Sequence, residues 1–190
     1  MEATCEEGTG FDHHNEIIEF PVILIDGLNG FLRLYSILLG QSMAVRDTFH
    51  RYVRPLLKPE LSKFCTDLTG ISQEIVDNAD TFDVVYGEFK EWLQQYDTPP
   101  YKECCFCTDG PWDLRDFMEK EFTYYGYTRY SIASLLISYS ITIYRPEFMW
   151  KIIDVRKLFK QTLDKGGNLS DMLSILGMSF TGREHSGIGF

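Results

Sequence analysis

Two carboxylates and an imidazole stand at the ends of elements that this sequence predicts. Glu2 immediately precedes Ala3-Thr4-Cys5. Asp113 follows Trp112 where a strand gives way to a helix, and His185 lies between Arg183 and Gly187 in a Gly-rich tail. Such side chains exchange protons and accept hydrogen bonds. Each also has a plainer role. A Glu near a terminus is solvated, an Asp at a helix start is a cap or dipole partner, and a His in a glycine-rich segment is a loop residue. Their meaning depends on what positions them.

The elements alternate between strand and helix. Glu16 to Asp26, NEIIEFPVILID with its preceding Asn15, is β-branched and apolar and stops at Gly27-Leu-Asn-Gly30. Pro21 within it suggests a bulge or an edge position. Thr48 to Val53 alternates and ends at Arg54-Pro55. Residues 60–78 read as two helices, because Leu61, Phe64, Cys65 and Leu68 fall at i, i+3, i+4 and i+7. Gly70 breaks the first and Ser72 caps the second. A longer helix runs from Thr81 to about Tyr96. Cys104 to Asp109 reads as a buried strand, and a helix starts near Trp112-Asp113 with Leu114, Phe117, Met118 and Phe122. Phe148 to Thr162 is predicted helical, and Asn168 or Ser170 caps a last helix before Gly177. Strands mixed with helices argue for an α/β protein.

Composition narrows the class. The 190 residues are 44% hydrophobic and 24% charged, with a net charge of −10. That excludes collagenous, disordered and disulfide-rich chains. It also excludes a general electrostatic binder of nucleic acid, which needs a basic surface; local contacts mediated by metal ions stay compatible with it. Five cysteines without a spaced framework predict a reducing, intracellular compartment, cytoplasmic or nuclear. The first residues lack the basic and apolar regions of a signal peptide. No run reaches the ~18 apolar residues of a membrane span, so no membrane partner is expected. Cys104-Cys105-x-Cys107 with His13 and His14 matches no standard zinc spacing.

Read in order, EATCEEG, NEIIEFPVILID, FHRYVRP, LSKFCTDLTGIS, VDNADTF, TDGPWDLRDF and FTGREHSGI closely resemble the DEDDh branch of the DnaQ-like 3′-to-5′ exonucleases. More narrowly they resemble its eukaryotic exoribonucleases of the enhanced-RNAi and histone-mRNA 3′-end type. The resemblance covers most of the chain. It implies an RNase H-like exonuclease fold, a mixed five-stranded sheet flanked by helices. It also implies hydrolysis that releases nucleoside 5′-monophosphates from RNA 3′ ends, single-stranded or with a short overhang, with DNA left open. In that family four carboxylates hold two Mg²⁺ or Mn²⁺ ions and a histidine serves as general base. The matching positions are Glu2 and Asp113 for the metal and His185 for the base. Ala3, Phe64, Leu68 and Trp112 match the lining of the 3′-nucleotide pocket. Phe64 and Leu68 also sit at helical core spacing, so each has a packing role as an alternative.

The same resemblance exposes departures. The partner of Glu2 would stand two residues earlier, and the fourth carboxylate five residues past His185, where the chain has Phe190. Two carboxylates therefore face the charge of two divalent ions, and at most one weakly held ion is expected, with hydrolysis impaired. The first strand and the last helix of the fold are expected to be missing, which would leave a single exonuclease-like domain incomplete at both ends. Segments 31–43 and 124–144 stand out as insertions, read as translated introns or as partner-binding or membrane-touching inserts. The rival to an enzyme is a non-catalytic RNA-end or protein-binding module on the same fold.

Overall fold

A computed structural model describes residues 1–9, 14–25, 45–96, 106–127, 152–179 and 185. Its first sheet is built on a long antiparallel pair. Strand β2 (Ile17–Ile25) pairs with β3 (Val45–Arg54) from Glu19↔Tyr52 to Ile25↔Val45. A two-residue strand β1 (Glu2–Ala3) lies antiparallel on the other side of β2, and β4 (Asp80–Thr81) runs parallel to β3. The order β1-β2-β3-β4 makes this sheet mixed. A second, two-stranded parallel sheet joins β5 (Phe106–Thr108) to β6 (Ile152–Asp154). Among the described residues the strands form a mixed sheet of four and a parallel sheet of two, flanked by helices as in the expected RNase H-like fold.

Pro21 is accommodated without a bulge at its own position. It lies beyond the stretch of β2 that pairs with β1, and the irregularity in the β2–β3 ladder falls at Leu24/Ile25. A proline lacks an N–H to donate, so it fits where a ladder has only one partner.

Helices cover the sheet as their caps dictate. Helix α1 (Lys63–Thr69) starts at Ser62, whose side chain accepts from Cys65 N–H, and ends at Gly70 with φ +78°. That left-handed turn suits glycine. Helix α2 (Gln73–Asp77) is capped by Ser72. Helix α3 (Phe82–Gln94) buries Phe82, Val85, Tyr86, Phe89 and Leu93. A wide π turn over Asp113–Phe117 leads into α4 (Met118–Tyr124), with Met118 N–H donating to the Asp113 carbonyl. Helix α5 (Val155–Leu163) follows β6 directly, and α6 (Leu169–Ile175) carries a capping box between Asn168 and Asp171. Gly177 follows α6 with φ +72°.

The main core is aromatic. Phe20, Phe49, Phe82, Tyr86, Phe89 and Phe122 pack with Leu114 and Met118, several as edge-on pairs such as Phe20–Phe49 at 5.8 Å between centroids. Such pairs contribute beyond their buried area. A smaller core joins Ile18, Cys65, Ile71 and Val76. Buried carboxylates bind the loops to this frame. Glu16 accepts from the N–H groups of Leu56, Leu57 and Lys58. Glu121 accepts from Ile17 N–H at 2.7 Å.

Two local predictions are corrected. Ile152 and Ile153 belong to a strand, not to the helix predicted over 148–162, which here begins at Val155; a short apolar run has no period of its own until β5 pairs with it. The strand over Cys104–Asp109 is not buried throughout, because Cys107 is exposed. Phe64 is 40% exposed, since α1 turns Cys65 and Thr69 inward instead. Residues 124–127 close α4, with Tyr125 and Tyr127 packed on the main core. Segment 31–43 and the rest of 124–144 lie outside the described residues, as do His13, Cys104 and Cys105. No helix among the described residues is long and apolar enough to cross a membrane.

Candidate active site

Glu2 is the first residue of β1, and its register partner across the ladder is Glu19. Directly paired residues of antiparallel strands point to the same face. Glu19 is 2% exposed and lies 2.7 Å from His50 Nε2. Asp113 reaches the same place from the other side of the fold. Its Oδ1 accepts a hydrogen bond from the α-amine of Met1 at 3.2 Å. Three carboxylates thus share one partly buried neighbourhood. Burial pushes the Glu2 carboxyl up to about 7, the Met1 ammonium opposes that rise, and the charges of Glu19 and Asp113 add to it. The carboxylate oxygens of Glu2 and Asp113 are the donor type that a hard divalent cation takes.

The presentation of Asp113 depends on a tight corner. Thr108 Oγ1 donates to the Gly110 carbonyl at 2.6 Å, and Gly110 has φ +90°. A side chain at Gly110 would come within 3.2 Å of the Trp112 indole. Leu114, 1% exposed, then pins the helix start into the main core. Trp112 is left exposed next to Asp113.

Behind Glu2, Ala3 is buried and its carbonyl lies 3.7 Å from Cys65 Sγ. Ser62 Oγ donates to the Cys5 carbonyl at 2.6 Å, which ties α1 to the chain leaving β1. Cys5 and Cys65 interact through their thiols; the hydrogen bond from Cys5 draws Cys65 down to about 7, and Cys5 itself is pushed up. Helix α1 carries Phe64, exposed, and Leu68, half-buried, and meets Ala3 through Cys65. The structure brings Glu2, Ala3 and Asp113 together, with Trp112 adjoining Asp113 and α1 adjoining Ala3. His185 sits at an exposed turn with φ +59°, and no hydrogen bond among the described residues joins it to Glu2 or Asp113. Nor do the described residues contain a group of three or more His, Cys, Asp or Glu side chains arranged to hold a metal.

Two functional neighbours were missed in the sequence reading. Glu19 is an acid inside an apolar run, which signals a buried charge with a purpose. Asp109 stands inside the segment TDGPWDLRDF, but its partner Arg156 is 47 residues away.

Residues 2–189 match the family described as Exonuclease. The chain is 35% identical to 3′-5′ exoribonuclease 1 of Rattus norvegicus over 191 residues, which covers 99% of this chain and 47% of that protein. It is 32% identical to the 3′-5′ exonuclease eri1 of Schizosaccharomyces pombe, covering 99% of this chain and 61% of that one. Among solved structures, the nuclease domain of 3′hExo, a DEDDh family member bound to rAMP, superposes with a TM-score of 0.75 at 33% identity, covering 99% of this chain and 81% of that one. A 3′-exonuclease solved in recognition of the histone mRNA stem-loop superposes at 0.77 with 32% identity, covering 99% and 72%. The chain spans about half the length of the mammalian relatives it matches. With its RNase H-like fold, the chain belongs to the exonuclease family, in the DEDDh branch.

Proposed function

We propose that this chain is a 3′-to-5′ exoribonuclease domain that acts on RNA 3′ ends and releases nucleoside 5′-monophosphates. Its family depends on divalent metal, and Mg²⁺ or Mn²⁺ suits the oxygen donors of Glu2 and Asp113. The observation that carries the reading is the shared electrostatic neighbourhood of those two carboxylates, beside an exposed Trp112. A cation bound there supplies Lewis acidity at the scissile phosphate. The side chains do the rest. Glu2 and Asp113 hold the cation, Trp112 stacks on the terminal base, and Ala3, Phe64 and Leu68 bound the nucleotide. His185 takes the proton of the attacking water.

A single-stranded RNA labelled at its 5′ end tests the reading. With Mn²⁺, a ladder of shortened products that disappears in Asp113→Asn and His185→Ala supports it. A ladder unchanged by both substitutions contradicts it.

The second reading is a non-catalytic RNA-end or protein-binding module. It is favoured by the lack of a three-ligand metal cluster among the described residues. Binding of the same RNA without shortening, at every Mn²⁺ concentration, supports the module.

A further inference from the structure

We propose that Asp109 and Arg156 are positioning residues that set the direction in which Trp112 and Asp113 face the 3′-terminal nucleotide. The inference rests on the exonuclease reading of this site and deepens it. Strands β5 and β6 are parallel and their last register pair is Thr108↔Asp154. Past that pair the chains part. One enters the Gly110-Pro111-Trp112-Asp113 corner, and the other enters α5, whose first turn Asp154 caps through Lys157 N–H at 3.0 Å. Across the gap Arg156 Nε donates to Asp109 Oδ1 at 2.6 Å, and a terminal nitrogen of Arg156 donates to Oδ2 at 2.8 Å. The pair is a two-pronged bond just where the strands end and the site begins. In open α/β sheets ligands bind beyond those carboxyl ends.

The fork fixes an angle as well as a distance. The corner transmits that angle because it has no slack. Gly110 accepts through its carbonyl from Thr108 Oγ1, and a Cβ there would meet the Trp112 indole at 3.2 Å. Leu114 holds the far end of the corner in the core. Trp112 and Asp113 are thus suspended between a buried anchor and a surface clamp. The clamp itself is partly exposed, with Arg156 at 43% and Asp109 at 33%. Exposed ion pairs add little to stability. Its value lies in orientation.

The experiment uses adenosine 5′-monophosphate with MnCl₂ as probe. Affinity is measured by calorimetry and stability by thermal melting, on the whole chain and on Asp109→Asn, Arg156→Gln, Arg156→Lys and the Asp109→Asn/Arg156→Gln double variant. Each single removal of the fork is expected to weaken binding ~10-fold, as outer partners of a site typically do, with the melting temperature unchanged. Arg156→Lys, which keeps the charge but not the fork, recovers part of the loss. The double variant is no weaker than the weaker single. Singles that bind like the parent, additive losses, or losses matched by a lowered melting temperature overturn the proposal. Trp112→Ala separates the two levels. If it abolishes binding while Arg156→Gln leaves it intact, positioning fails and the site stands. If Trp112→Ala binds like the parent, or the parent binds none, the site reading fails and the positioning proposal falls with it.

Discussion

Glu19 lies directly across the β1–β2 ladder from Glu2, buried and 2.7 Å from His50 Nε2. Its charge helps to raise the Glu2 carboxyl to about 7, after burial, which is the larger cause. The Glu2 proton therefore competes with any cation. Below about pH 7 a protonated Glu2 must be deprotonated for the cation to bind, so Mn²⁺ affinity is expected to fall by up to ~10-fold per pH unit. Glu19→Gln removes a like charge and shifts that fall to lower pH. Mn²⁺ titrations at several pH values check both expectations.

Glu121 gives the fold its own pH dependence. Burial raises its carboxyl to about 7, against the hydrogen bond from Ile17 N–H, which lowers it, and the charge of Glu16, which raises it. Between the ordinary value of 4.5 and about 7 the folded chain binds more protons at this group than the unfolded chain does. Stability contributed here is therefore present at low pH and is lost as pH rises through that window. The full effect is roughly 3 kcal/mol at about 1.4 kcal/mol per pKa unit. Glu121→Gln keeps an acceptor for Ile17 N–H without the charge. Urea melts at pH 5 and pH 8 should show the variant more stable than the parent at the higher pH only.

Trp112 should matter for binding and not for folding. It is 43% exposed and stands beside Asp113. Trp112→Ala is expected to cost the ~1–3 kcal/mol that one base–aromatic stack supplies. Competition binding with short single-stranded RNA measures it, and an unchanged melting temperature shows that the core is intact.

The elements were legible where local chemistry decides them. Ser72 and Asn168 cap helices as their hydroxyl and amide groups predict, and Gly70 ends α1 in the left-handed conformation. For Phe64 the helical spacing left packing and pocket roles open, because it gives a stripe but not which edge of it faces inward. Ile152-Ile153-Asp154 misled because a three-residue strand exists only through its pairing with Phe106-Cys107-Thr108. The carboxylates Glu2 and Asp113 were visible through segments whose order matches the family. The Asp109–Arg156 fork was not, because only the folded chain brings those residues together.

The direct test is a Mn²⁺ titration of the purified chain followed by electron paramagnetic resonance. Bound Mn²⁺ is expected, lost in Glu2→Gln and in Asp113→Asn and retained in Trp112→Ala. Mn²⁺ binding that neither carboxylate substitution changes would contradict the assignment of Glu2 and Asp113 as its ligands.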